Sequence, residues 1–258
     1  MEFAPVVEQL EQERRRIEAL NDSVQFLEQV VQCLVGNKGQ NIEKSYLFLK
    51  ERQDKINGQL LEIFPDRVNR WLENAELQLP FRLAVIDGFG NLIQYFPGGG
   101  RELNLELAIT AYQIVLEKSQ KLVPKQWAAT HNNLSTAYSV RIKGDHSENL
   151  EQSVQCCEQA LNVFTFTSSP NEWAMTQNNL GSAYRQRVRG KSDNNLEKAI
   201  KAFHSALQVH TRDAMPQDWA MTKHNLGLTY ADSRLGRSSD NIELAIDAFH
   251  SALKVYTP

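Results

Sequence analysis

Apolar residues recur along this chain at helical spacing. In the stretch that opens at Ser169-Pro170, Trp173, Leu180 and Tyr184 stand seven and four residues apart, which at 3.6 residues per turn sets them on one stripe. The pattern predicts an amphipathic helix, here called A. The proline three residues before each tryptophan suits a first helical position, where a missing N–H costs nothing, and Ser169 offers an N-cap oxygen ahead of Pro170. A second run, helix B, follows each time, from Asn149, Asn195 and Asn241. Asn194 with Glu197 and Asp240 with Glu243 have capping-box spacing, and Gly190 and Gly236 stand where helix A should close. Residues 1–78 also show helical periodicity, interrupted at Pro65, and predict three or four helices.

These elements repeat. Blocks beginning VPKQWAATHNNL, SPNEWAMTQNNL and MPQDWAMTKHNL start at Val123, Ser169 and Met215, each 46 residues after the last and without a gap. A shorter signature, G-x4-N-[LI]-E, marks five A-to-B turns, at Gly36/Asn41, Gly99/Asn104, Gly144/Asn149, Gly190/Asn195 and Gly236/Asn241. The expected organisation is an N-terminal helical region over 1–78 and a repeat array over 79–258. The array comprises a divergent unit at 79–122, weakened by Gly88 and Gly90 and expected to cap the stack, then units at 123–168, 169–214 and 215–258. The fold class is all-α, with helix pairs stacked into a right-handed superhelix, an α-solenoid.

Composition narrows the partners. A formal charge of -3 provides no positive field for nucleic acid, and no apolar run reaches the length of a membrane span. The N-terminus turns charged too soon for a secretory signal, and three cysteines without framework spacing suit a reducing compartment, so a cytoplasmic protein is expected.

The repeat residues carry a resemblance. LGSAY at 180–184 matches the L-G-x-x-Y of tetratricopeptide (TPR) repeats, and Ala199, Phe203 and Ala206 match the A-x3-F-x2-A of their second helix. The period of 46 is longer than that family's usual one and lies in the range of HEAT and armadillo repeats; the residue order favours the tetratricopeptide side. The form P-x-x-W-A-x-T-x-N-N-L-G-x-A-Y is similar to long-period bacterial arrays often joined to CHAT proteases and, more distantly, to the kinesin light chain type. The likeness covers about residues 81–258 and includes no protease segment. It implies a protein-recognition module that is not an enzyme and needs no cofactor.

The candidate site follows from the A helices. Asn179 shares a face with Met175, Ser182 and Gln186, and its equivalents Asn133 and Asn225 complete a ladder. In family members that clamp an extended peptide, the asparagine at this position grips the ligand backbone. A side-chain amide can donate to a carbonyl and accept from an N–H at once. Asn132, Asn178, Ser182, Arg185, Gln186, His224 and Asp232 are the expected selectivity groups beside Asn133, Asn179 and Asn225. The alternative is that the ladder bonds to an adjacent helix and fixes packing. A second class of function, an assembly arm that self-associates or docks to an effector such as a CHAT-type protease, is suggested by the end at Tyr256-Thr257-Pro258. There either further repeats or a second molecule would cover the last helix B.

Other motifs read as structure. The tryptophans belong to the packing stripe, and Cys156-Cys157 takes the place of Ala202-Phe203 as core filling. His204 and His250 lack companion ligands for a metal. Phe96-Pro97-Gly98-Gly99-Gly100 lacks a phosphate-loop lysine, Arg14-Arg15-Arg16 is matched by nearby glutamates, and no nucleophile, nucleotide or metalloprotease motif occurs.

Overall fold

The computed structural model describes residues 3–36, 42–73, 76–119, 122–233 and 238–256. Among these the chain is all-α, with eleven α-helices, one 3₁₀ turn and no strand. None of the described helices is long and apolar enough to cross a membrane. Two compact units divide at Val123/Pro124, so the helix pair within 79–122 shares its unit with the helices of 1–78.

The first unit contains α1 (Phe3–Gly36), α2 (Ile42–Glu51), a 3₁₀ turn (Gln53–Lys55), α3 (Gly58–Leu72), α4 (Leu79–Tyr95) and α5 (Arg101–Ser119). Helix α1 packs on α2, α3 and α4, and α5 packs on α3 and α4. Pro65 does not interrupt the helix, contrary to expectation, and lies inside α3. An interior proline costs about 3 kcal/mol. Offsetting it, the stripe Leu60, Phe64, Val68 and Leu72 is buried, and Asn57 caps the start by accepting from the Leu60 N–H at 3.1 Å. The arginine run pairs as expected from Arg14 to Glu18 (3.0 Å) and Arg15 to Glu11 (4.0 Å), while Arg16 reaches across to Glu62 of α3 (3.7 Å).

The second unit holds three antiparallel pairs: α6 (Pro124–Ser139) with α7 (His146–Leu161), α8 (Pro170–Gln186) with α9 (Ser192–Ala206), and α10 (Pro216–Asp232) with α11 (Ser238–Tyr256). Each B helix also packs on the next A helix, α7 on α8 and α9 on α10, and the A helices touch one another in sequence.

The structure explains the G-x4-N signature. Gly99, Gly144 and Gly190 adopt φ of 81°, 84° and 87°, a left-handed conformation that glycine accepts without Cβ strain. The asparagine five residues on then satisfies carbonyls left open at the end of helix A. Asn104 Nδ2 donates to Phe96 O (2.9 Å) and Gly98 O (2.7 Å), Asn149 Nδ2 to Lys143 O (2.9 Å), Asn195 Nδ2 to Arg189 O (2.8 Å) and Asn241 Nδ2 to Ser233 O (3.3 Å). Asn41 and Gly236 lie outside the described residues.

Helix starts differ from the expected caps. Helix α9 begins at Ser192, two residues before Asn194, and its N-cap, Lys191, makes no side-chain cap bond, so Asn194 and Glu197 form no capping box. Asp240 likewise lies inside α11. Ser169 is the N-cap of α8 but its hydroxyl makes no cap bond. In α7 a cap does form, with Asp145 accepting from the Glu148 N–H at 2.8 Å.

A small-for-large lock holds each pair. A Cβ on Gly181 would meet the Phe203 ring at 2.7 Å, one on Gly227 the Phe249 ring at 2.8 Å, and one on Gly90 the Tyr112 ring at 2.6 Å. At the same position α6 has Ser135, and its partner on α7 shrinks to Cys157, the two side chains meeting at 2.9 Å. The pair within 79–122 thus uses the same packing as the three regular units, which gives Gly90 a role beyond weakening its helix.

Candidate functional site

The A helices of the second unit present one continuous row of side chains. On α8 the row is Met175, Asn179, Ser182 and Gln186; on α10 it is Met221, Asn225, Leu228 and Asp232; on α6 it is Ala129, Asn133, Thr136 and Val140. Met175 and Met221 stand out, 45% and 40% exposed, while Asn133, Asn179, Asn225 and Ser182 are half-buried.

The asparagine–asparagine bonds and the ion pair in the seam between neighbouring A helices join residues 47 apart, one more than the repeat. Asn179 Nδ2 donates to Asn132 Oδ1 (3.0 Å) and to Thr136 Oγ1 (3.3 Å), and Asn225 Nδ2 donates to Asn178 Oδ1 (3.2 Å). Arg185 Nη1 pairs with Asp232 Oδ2 at 2.8 Å. Asn178 therefore faces the following helix and Asn179 the preceding one, and Asn132 and Asn225 repeat these two roles. Asn132 and Asn178 are buried in the seam, which removes them from the accessible selectivity groups. His224, third in their series, is exposed, with its ring 5.5 Å from that of Phe249. Gln186 donates to Ser182 O of its own helix (3.2 Å).

The ladder's chemistry changes accordingly. Both hydrogens of the Asn179 amide are directed at α6, so this side chain offers an incoming backbone its Oδ1 as an acceptor and not the two-way grip expected from an unengaged amide. The exposed thioethers of Met175 and Met221, left out of the expected site, supply adaptable apolar contact on the same row. Periodicity placed them on this face; it gave no reason to rank them above the asparagines.

Polar contacts tie each B helix to the next A helix. Tyr184 OH donates to Glu158 Oε1 (3.1 Å), His204 Nε2 meets Tyr230 OH (3.1 Å), and Arg187 binds Glu151 through two bonds of 2.7 and 2.8 Å. The guanidinium holds the Glu151 carboxyl below its usual range, and burial, with Glu158 beside it, pushes the Tyr184 phenol up to about 12.

The remaining titratable groups are packed for structure. Burial pushes both thiols, Cys156 and Cys157, up to about 12. His131, edge-on to Trp127 at 4.3 Å, is lowered by burial to about 4, and His210 is lowered by burial while its Nδ1 contacts Thr222 Oγ1 at 3.2 Å. Trp127 is buried and Trp173 and Trp219 half-buried, in keeping with packing. Among the described residues no cluster of His, Cys, Asp or Glu could hold a metal ion. In the first unit, a cleft of about 290 Å³ lies between α1 and α3, with Val24, Leu27 and Val31 facing Val68 and Trp71.

Compared with protein-family models, curated proteins and solved structures, the chain matches none of them.

Proposed function

We propose that the second unit is a right-handed superhelical stack of tetratricopeptide-like pairs that binds an extended peptide or protein segment on the row of its A helices, without catalysis. One observation carries this reading: two methionines at the same repeat position, Met175 and Met221, remain exposed on the row beside the half-buried Asn179 and Asn225. Adjacent A helices touch while the B helices are in contact chiefly with A helices, which suits a concave A side. A segment lying across the row would seat apolar side chains on Met175 and Met221 and donate backbone N–H groups to the ladder oxygens.

Selection of a random peptide library on the intact chain tests this. Peptides enriched on the wild type should lose at least about tenfold in affinity on Met175→Glu and Met221→Glu, which place a charge on the row without entering the core. Equal binding by both variants, with unchanged melting, rejects the row as the site.

A further inference from the structure

The cleft of the first unit combines an apolar interior with opposite charges on its two walls. Leu27 and Val31 of α1, Val68 of α3 and Ile86 of α4 are buried side chains of its lining, and half-buried Trp71 of α3 lies beside them. The space is about 290 Å³, room for roughly ten non-hydrogen atoms at the ~30 Å³ that a water molecule occupies in the liquid. An interior of that size and polarity suits one compact apolar group.

The charges stand on different helices. Glu28 lines the cleft from α1, one helical turn after Val24, and Arg67 and Arg70 line it from α3, on either side of Val68. Arg70 is engaged by Asp66 of its own helix at 2.8 Å. Glu28 and Arg67 are exposed, and neither is ion-paired to another described residue. A carboxylate and a guanidinium therefore occupy the two walls of one cleft without meeting. Elsewhere on these helices the charges do close on one another, Arg14 on Glu18, Arg15 on Glu11 and Arg16 on Glu62.

We propose that this cleft binds a free α-amino acid with a large apolar side chain. The ligand carboxylate lies against Arg67, whose planar fork presents parallel N–H donors, and the ligand ammonium donates to Glu28, which as an ionised carboxylate only accepts. The side chain enters between Val31 and Val68 and packs on the Trp71 ring, where an aromatic group gains an edge or stacked contact. An aryl or fatty acid would answer Arg67 and bring a like charge to Glu28; an amine would do the reverse. A zwitterion answers both walls. The inference concerns the first unit alone and does not depend on the A-helix row.

The probes are L-phenylalanine, 3-phenylpropionate and phenethylamine, which share a ring and differ in head group. Labelled with 5-fluorotryptophan, the full chain gives four fluorine signals, from Trp71, Trp127, Trp173 and Trp219, and Trp71→Phe assigns the first. L-Phenylalanine should shift the Trp71 signal alone along a saturation curve with a Kd of about 0.1–5 mM, the range set by about twelve ligand atoms in an open cleft. The other two probes should bind at least about fivefold more weakly. Glu28→Gln should weaken phenylalanine at least about threefold and leave 3-phenylpropionate no weaker, whereas Arg67→Gln should weaken both and spare phenethylamine. Both positions are exposed, so urea midpoints stay at the wild-type value. No saturable shift of the Trp71 signal up to about 20 mM phenylalanine overturns the proposal. So does equal affinity for phenylalanine and 3-phenylpropionate, or phenylalanine binding that both variants leave intact.

Discussion

Replacing Gly181 by serine should destabilise the chain, and replacing Phe203 by cysteine in the same molecule should relieve part of that loss. The new Cβ would sit 2.7 Å from the Phe203 ring, and that ring is fully buried, so it has nowhere to move. Overpacking of this kind costs about 1–3 kcal/mol, from which roughly 0.5 kcal/mol of improved helix propensity is subtracted. Phe203→Cys alone removes most of a buried ring and should cost about 2–4 kcal/mol. The double variant reproduces the Ser135/Cys157 combination that α6 and α7 already use. Its loss should therefore fall short of the sum by at least about 1 kcal/mol. Urea denaturation followed by far-UV circular dichroism measures each midpoint, with the slope held constant across the set. Additivity of the two changes to within about 0.5 kcal/mol would refute the lock.

Further outcomes follow from the seam, the histidines and the thiols. Asn178→Ala strips Asn225 of its acceptor in a buried seam and should cost about 1–2 kcal/mol, and Asn179→Ala about 0.5–1.5 kcal/mol, both read from urea midpoints. His131 and His210 are held neutral in the folded chain, so the unfolded chain takes up their protons first as pH falls. The His131 contribution is complete above the unfolded value near 6.5 and is lost on descending from there toward about 4, and that of His210 is lost as pH falls below its unfolded value. Midpoints should drop across that window, and His131→Gln, the residue found at position 177, should flatten the slope. In the native chain a disulfide reagent should leave Cys156 and Cys157 unmodified, and both should react once urea unfolds the second unit.

Much of the architecture is legible without coordinates because repetition and periodicity act locally. The 46-residue register predicts three helix pairs, and the G-x4-N signature marks turns whose glycine and asparagine have separate physical tasks. Periodicity assigns a residue to a face of its own helix and cannot say which neighbour that face will meet. For that reason Asn132 and Asn178 were expected among accessible groups, although the 47-residue pairing turns them into the seam. Pro65 shows the same limit from the other side: a local penalty predicts a break, and burial of Leu60, Phe64 and Val68 overrides it. The lock between Gly181 and Phe203 joins two helices and is invisible to either helix alone. Its signal is the exchange at Ser135 and Cys157, where one side chain grows as the other shrinks.

The most direct test places a reporter on the row itself. With 13C-methyl methionine the chain gives four methyl signals, from Met1, Met175, Met215 and Met221. Titration with a library-selected peptide should shift the Met175 and Met221 signals together along one saturation curve, with Met215 unmoved. Saturable binding that leaves both of those signals in place contradicts the account.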